Sequence, residues 1–205
     1  MILLSFLFSS LTFSQEQVEQ NHDELWDFYP FTIDLSAGVW TPLEKFSEYY
    51  NPSFQFGAGF GLIISRKMRL QMWLMPKFFD PKKSLLLNLN DTVREYKEKS
   101  LGASVGGWLS YTFYQDKNAS MEILTGITKE DIPTTIIKPN NNDSISISGL
   151  GLSIGVNSWI NTFAKLNFGL RAIYTYSTYD NSKYLASSIG GHSITFSLVY
   201  RFPRR

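Results

Sequence analysis

Apolar and polar residues alternate along the chain from residue 31 onward, in segments of about ten residues. In the first segment, FTIDLSAGVW, apolar side chains occupy every second position, beginning with Phe31 and Ile33. A period of two is typical of a β-strand with one apolar and one polar face. The pattern predicts eight strands, at about residues 31–40, 53–64, 68–78, 94–113, 120–128, 145–160, 164–176 and 192–202. The phase of the sixth segment slips near Gly149, which indicates a β-bulge.

The connections between these segments alternate in length. Long loops follow strands one, three, five and seven, at about residues 41–52, 79–93, 129–144 and 177–189. Short links follow strands two, four and six, at residues 65–67, 114–118 and 161–163. An up-and-down meander would place all long loops at one end and all tight turns at the other, as in bacterial outer-membrane barrels.

Three features of the two faces bear on which one is turned inward. The apolar face carries no charge within the core of any strand, and charges of that parity, such as Glu95, Lys97 and Lys99, fall at the expected upper end of strand four. The polar face is rich in glycine and serine, which suits a crowded barrel interior better than open water. It holds ten of the fourteen glycines: Gly38, Gly57, Gly59, Gly61, Gly102, Gly106, Gly126, Gly151, Gly155 and Gly169.

Aromatic residues on the apolar face cluster where a bilayer would meet its headgroups. They form two groups, Tyr111, Phe113, Tyr200 and Phe202 at the turn end and Phe54, Phe56, Tyr174 and Tyr176 at the loop end. Such belts are typical of membrane barrels. The fold expected is therefore all-β, an eight-stranded antiparallel up-and-down transmembrane β-barrel. The alternative is a soluble, lipocalin-like ligand-binding barrel with its apolar face inward.

The chain divides into three predicted regions. Residues 1–14 are uncharged and apolar, too short to span a bilayer as a helix, and fit a signal peptide. Residues 15–30 carry five acidic and no basic residues and are expected to form an acidic periplasmic leader. Residues 31–205 would form the outer-membrane barrel.

Composition and motifs reduce the number of binding and catalytic sites that the chain is expected to contain. Lys plus Arg number 19 and Asp plus Glu 18, so no charge field favours nucleic acid. The chain has no cysteine and two histidines, His22 and His192, so neither a thiolate nor a multi-histidine metal site is expected. No cofactor motif is present. Ser193 points away from His192 and no carboxylate is close in sequence, so we expect no enzyme.

Two groups of side chains are candidate sites. The first is a luminal charge network in which opposite charges pair, either as structure or as an ion path. Its members are Asp34, Arg69, Glu122, Lys165, Arg171 and Arg201. The second is a set of apolar residues on the long loops, which would contact a partner, pack on one another or lie in lipopolysaccharide. Its members are Phe46, Tyr49, Tyr50, Ile136, Ile137, Tyr179 and Tyr184.

Three motifs resemble the small outer-membrane β-barrel ("porin family") proteins of Bacteroidota. These are DLSAGVW in the first strand, FGAGFGL in the second and FSLVYRF in the last. The resemblance implies a terminal strand read by the outer-membrane insertion machinery through Phe196, Leu198, Tyr200 and Phe202. The extra PRR after Phe202 departs from that pattern. The family is functionally mixed.

The expected role is a non-enzymatic integral outer-membrane protein. It would act as a scaffold, a surface-interaction protein or an accessory subunit of an envelope complex, with both termini and the short turns in the periplasm. Its expected partners are outer-membrane lipid, the insertion machinery and other envelope proteins. A small-solute conduit or porin-like channel is the second alternative, beside the soluble barrel.

Overall fold

The computed structural model describes residues 31–89, 92–116, 118–138, 141–161, 167–179, 185 and 190–202. The predicted signal peptide and acidic leader lie outside these residues, as do Lys165 and Tyr184. Within the strands, the side chains of residues 133–146 are also outside the described part.

Ten strands and one short helix make up the described chain. In order they are β1 (Phe31–Leu43), α1 (Glu44–Tyr49), β2 (Ser53–Ile63), β3 (Met68–Phe79), β4 (Leu85–Leu89), β5 (Thr92–Tyr96), β6 (Ser100–Gln115), β7 (Ala119–Lys138), β8 (Asn141–Asn161), β9 (Asn167–Thr178) and β10 (Gly190–Arg201). Eight strands close an antiparallel barrel in the order β1, β10, β9, β8, β7, β6, β3, β2. Strands β4 and β5 form a separate hairpin. Among the described residues, no helix is long and apolar enough to cross a bilayer.

The long-loop end differs from the prediction in two places. The predicted fourth strand, 94–113, is not one element, because residues 92–96 belong to the β4–β5 hairpin and barrel strand β6 begins only at Ser100. The predicted loop 129–144 consists mostly of the paired ends of β7 and β8, whose pairing runs from Ala119↔Ile160 to Lys138↔Asn141. The apolar hairpin core and the long cross-strand pairing outweigh the loop-like composition of these stretches.

The predicted bulge at Gly149 is absent. Gly149 pairs with Glu130 in an unbroken register between β7 and β8, and the register shift of the described barrel lies instead between Thr112 and Tyr114. Ile147 and Gly149 both face inward. The apolar phase changes because the barrel interior becomes apolar at this level, so Ile147 is buried inside while Leu150 remains outside.

The apolar face of every barrel strand is turned outward. Leu35, Phe60, Val105 and Phe196 are 44%, 49%, 49% and 60% exposed, whereas the alternate positions are mostly buried inside the barrel. A soluble barrel would bury these four residues, so the lipocalin-like alternative is wrong. A continuous apolar exterior suits lipid, and closure leaves no unpaired strand edge within the barrel wall.

Aromatic residues mark both ends of this exterior. At the turn end, the ring of Tyr200 lies 5.1 Å from Phe168 and 5.1 Å from Phe202. At the loop end, Phe54 and Phe56 are 67% and 50% exposed. The two predicted belts therefore lie at the two borders of an aliphatic band.

Glycines on the inner face make room for large rings. Trp73 and Trp108 lie on the neighbouring strands β3 and β6 and stack inside the barrel, with ring centroids 5.9 Å apart and planes 26° apart. A Cβ atom on Gly59 would lie 2.3 Å from Trp73, and one on Gly126 would lie 1.9 Å from Trp108. The tryptophan pair therefore requires glycine at its cross-strand partner positions.

A charge placed in the middle of the aliphatic band should be costly. Ile154 lies in mid-strand on β8 and is 58% exposed, whereas Phe54 lies at the loop-end border. We expect Ile154→Arg to lower the free energy of unfolding in lipid vesicles by about 2–4 kcal/mol, and Phe54→Arg by about 0–1 kcal/mol. Denaturant titration of the two variants checks this. Equal costs at both positions would contradict the lipid-facing assignment.

Glycines on the inner face should tolerate substitution by alanine far less well than a glycine on the outer face. We expect Gly126→Ala to destabilise the barrel by about 1–3 kcal/mol, because the methyl group overlaps Trp108. Gly107 faces outward and has no atom within 4 Å of a built Cβ, so Gly107→Ala is the matched control. Denaturant titration should show no loss for the control, and an equal loss in both variants would argue against steric exclusion.

Candidate functional site

An ionic cluster fills the turn end of the interior. Arg201 on β10 donates two hydrogen bonds to Asp34 on β1, at 2.7 and 2.8 Å. Glu122 on β7 accepts from Arg69 on β3, and its Oε1 lies 3.5 Å from Nη1 of Arg201. Asn157 donates to the second oxygen of Glu122 at 3.2 Å. The cluster links five barrel strands through charge-assisted bonds that water does not compete for.

Two guanidinium groups in this region lie against tryptophan rings. The central carbon of Arg201 is 3.8 Å from the Trp159 centroid, and that of Arg171 is 3.9 Å from Trp73. Arg171 also donates from Nε to Asn157 at 2.8 Å. Stacking on aromatic faces favours arginine in a narrow, poorly hydrated lumen.

A second ionic cluster lies toward the loop end, centred on Glu130 of β7. One carboxylate oxygen accepts from Lys77 at 2.6 Å and from Ser104 at 3.2 Å. The other accepts from Ser177 at 3.1 Å and from the Tyr179 hydroxyl. Burial, together with the Glu130 charge, raises the pKa of Tyr179 well above its ordinary value, so the phenol remains a donor. Every lone-pair direction of this buried carboxylate is thus used.

An aromatic and aliphatic core closes the loop end above this cluster. Trp40 contacts Phe46 of α1 and Phe79 of β3, with centroids 5.3 and 5.5 Å away. Its other fully buried members come from the hairpin, β7, β8 and the segment after β9. The core, called here the mouth core, consists of Trp40, Phe46, Tyr50, Phe79, Leu85, Leu87, Tyr96, Ile132, Ile147 and Tyr179. It fixes α1 and the β4–β5 hairpin onto the barrel.

The interior between the two ionic clusters is almost filled. One small polar cavity of about 20 Å³ remains there, beside Arg171 and Glu130. That volume has room for one or two water molecules.

Five of the six predicted luminal charges lie in the described interior, and Lys165 is outside the described residues. Asp34, Arg69, Glu122 and Arg201 form one bonded cluster, and Arg171 joins it through Asn157. Sequence reasoning missed Lys77 and Glu130, which share the inward parity of their strands but were placed at a strand end and in a loop. Continuing the inward-facing alternation of β3 to residue 77, and that of β7 to residue 130, would have identified both.

Of the seven predicted loop contact residues, three are buried and so not available for contact. Phe46, Tyr50 and Tyr179 are 1%, 2% and 0% exposed, because they pack on one another in the mouth core. Tyr49 is half-buried against that core. The backbones of Ile136 and Ile137 belong to β7 rather than to a loop. Outside the barrel wall, the described loop-end elements expose two large apolar side chains, Leu86 and Val93 of the hairpin.

His192 has a carboxylate neighbour that its sequence context does not reveal. Its Nε2 lies 3.2 Å from Glu44 of α1, and its Nδ1 contacts the Tyr174 hydroxyl. Ser193 is 3% exposed and faces inward, away from His192. The hydroxyl that contacts the imidazole is therefore the phenol of Tyr174 and not the hydroxyl of Ser193. The group joins α1 to the barrel exterior.

Comparison with known proteins supports the fold. Neisserial surface protein A superposes with a TM-score of 0.57 at 12% identity, covering 86% of this chain and 98% of that one. Ail, the attachment invasion locus protein of Yersinia pestis, gives 0.47 at 15% identity, covering 84% and 97%. The outer membrane protease OmpT from Escherichia coli gives 0.49 at 8% identity, covering 88% and 99%. No protein-family model and no curated protein matches the sequence.

At these identities the likeness is one of fold alone. The closed eight-stranded antiparallel barrel and its apolar exterior are those of an outer-membrane β-barrel. The protein is therefore a transmembrane β-barrel of the type found in bacterial outer membranes.

The Lys77–Glu130 pair should matter to stability as a unit. We expect Glu130→Gln to cost about 3–5 kcal/mol, because it leaves Lys77 buried without a counter-charge. The double variant Lys77→Met/Glu130→Gln should recover most of that loss. Unfolding free energies for the full double-mutant cycle measure the coupling, and additive losses would contradict it.

The control for this cycle is the exposed pair of Lys83 and Glu48, whose charged atoms lie 2.9 Å apart on the surface. Solvent screens this pair. Lys83→Met should therefore leave the unfolding free energy unchanged.

Proposed function

We propose that the protein is a non-enzymatic surface-interaction protein that uses a sealed barrel to hold a rigid platform at the outer face of the membrane. The observation that carries this is the mouth core, which ties the loop-end elements to one another and to the barrel wall. The platform consists of α1, the β4–β5 hairpin and the extended ends of β7 and β8.

The exposed face of the hairpin is the part of this platform best suited to a partner. Val93 is 61% and Leu86 is 41% exposed, while Leu85 and Leu87 on the opposite face are buried in the mouth core. The same exposed face carries Asn88 and Glu95, the cross-strand partners of Val93 and Leu86. A hairpin with one anchored face and one exposed face of mixed polarity presents a preorganised contact surface. The proposed partner is another envelope protein. Contact with such a partner would also serve the scaffold and accessory-subunit roles.

The interior does not favour the conduit alternative. The described lumen contains two bonded ionic clusters, stacked tryptophans and a cavity of about 20 Å³, too small for a solute path. Conduction would require the clusters and the mouth core to separate together.

Orientation and assembly follow from the same proposal. The short turns and the chain ends would face the periplasm, with residues 1–14 removed as a signal and residues 15–30 left as an acidic leader. Phe196, Leu198 and Tyr200 lie on the outward parity of β10, and Phe202, which directly follows the strand, is exposed as well. This alternation supports a proposed signal for the insertion machinery. The resemblance to Bacteroidota porin-family barrels supports this assignment.

Site-specific photo-crosslinking in cells tests the platform. A photoreactive phenylalanine analogue at Val93 should give discrete protein adducts on gels of outer membranes, because that side chain points away from the barrel. The same analogue at Phe196, which faces lipid, is the matched control and should give none. Val93 adducts no stronger than those at Phe196, in a barrel that is folded by heat-modifiable migration, would contradict the proposal.

A further inference from the structure

The described interior contains one more positive charge than negative. The inward-facing cations are Lys77, Arg69, Arg171 and Arg201, and the inward-facing carboxylates are Asp34, Glu122 and Glu130. Four cations against three carboxylates leave an excess of one. Burying an unbalanced charge is costly, so such a site favours a counter-ion.

The excess is localised at Arg171. Among the described residues, Lys77, Arg69 and Arg201 each form an ion pair with a carboxylate, whereas no described carboxylate lies within 4.0 Å of Arg171. Arg171 is 2% exposed, and its hydrogen-bond partner is the neutral Asn157. Its Nη2 is buried with no acceptor among the described atoms.

The small cavity of the interior lies beside this arginine. Its wall is part polar and part apolar. Of the hydroxyl groups there, Thr128 donates to the Gly151 carbonyl and Thr195 donates to Gln55. The serine hydroxyls of the wall, which can turn their protons inward, belong to Ser36, Ser193 and Ser197. Glu130 is the carboxylate in the wall, and both of its oxygens already accept hydrogen bonds from Lys77, Ser104, Ser177 and Tyr179. These four donors largely compensate its charge.

We propose that this cavity binds one small monovalent anion, with chloride as the natural occupant, held by Arg171 and the serine hydroxyls of the wall. A guanidinium and hydroxyl donors match a halide, which accepts hydrogen bonds and donates none. The free volume of about 20 Å³ admits a species slightly larger than water and excludes sulfate or gluconate. Water alone would satisfy the N–H groups but leave the charge unbalanced.

Bromide locates the site directly. Protein refolded and crystallised in bromide should show an anomalous peak within hydrogen-bond distance of the Arg171 guanidinium, at an occupancy comparable to that of the surrounding atoms. A cavity that holds only water would show no peak there, and that result would overturn the proposal.

Stability should depend on the identity of the anion. In detergent micelles at constant ionic strength, replacing gluconate by chloride or bromide should raise the melting temperature by a few degrees and saturate with concentration, as expected for a ligand of the folded state. Sulfate should not substitute for the halide. A shift that follows ionic strength whatever the anion would overturn the proposal.

The variant Arg171→Gln tests whether this arginine is needed for anion binding. This variant removes the excess charge and should lose both the halide-dependent shift and the bromide peak. Lys129→Gln is the matched control, because Lys129 is exposed on the outer side of β7 and should keep both. If Arg171→Gln does not fold, Ser197→Val, which narrows the cavity, should abolish the shift instead. A full halide response in a folded Arg171→Gln or Ser197→Val variant would overturn the proposal.

Discussion

The narrowness of an eight-stranded barrel is the constraint on which the rest of the structure depends. Its lumen is only wide enough for side chains to fill, so each inward residue must fit against the inward residues around it. Trp73 and Trp108 are accommodated because their cross-strand partners Gly59 and Gly126 have no Cβ. The charged residues meet partners for the same reason, since Asp34 and Arg201, or Lys77 and Glu130, have no solvent to reach instead.

This constraint produces layers along the barrel axis. An ionic cluster occupies the turn end, stacked tryptophans and hydroxyls the middle, the Glu130 cluster the upper interior, and apolar rings the mouth. Each layer joins strands that are distant in sequence, as the bond between Ser177 and Glu130 shows. Tyr179 takes part in both upper layers, since its hydroxyl bonds Glu130 while its ring packs on Phe46. The loop-end elements are thereby coupled to the polar interior.

The sequence was sufficient to predict the strands, their outward apolar face and the closed barrel, because alternation with a period of two follows directly from strand geometry. It was not sufficient at the loop end, where packing across the mouth decides the outcome. Local sequence does not distinguish Phe46 or Tyr179 as buried, since their burial depends on contacts between distant segments, such as that between these two rings. Ile147 appeared to break the pattern because the interior there is apolar. Glu130 was missed because a polar composition resembled a loop, although its pairing with Gly149 continues the strand.

The way the interior is sealed bears on function. A lumen closed by one salt bridge could open through a single rearrangement, but here Glu130 has four donors and Glu122 has two arginines and an asparagine. Breaking one bond leaves the others in place, and the mouth core would still cover the exit. Such redundancy stabilises a fixed shape rather than a gate. A fixed shape is what the proposed contact surface requires, since a partner would then meet Val93 and Leu86 in a geometry that needs no ordering on binding.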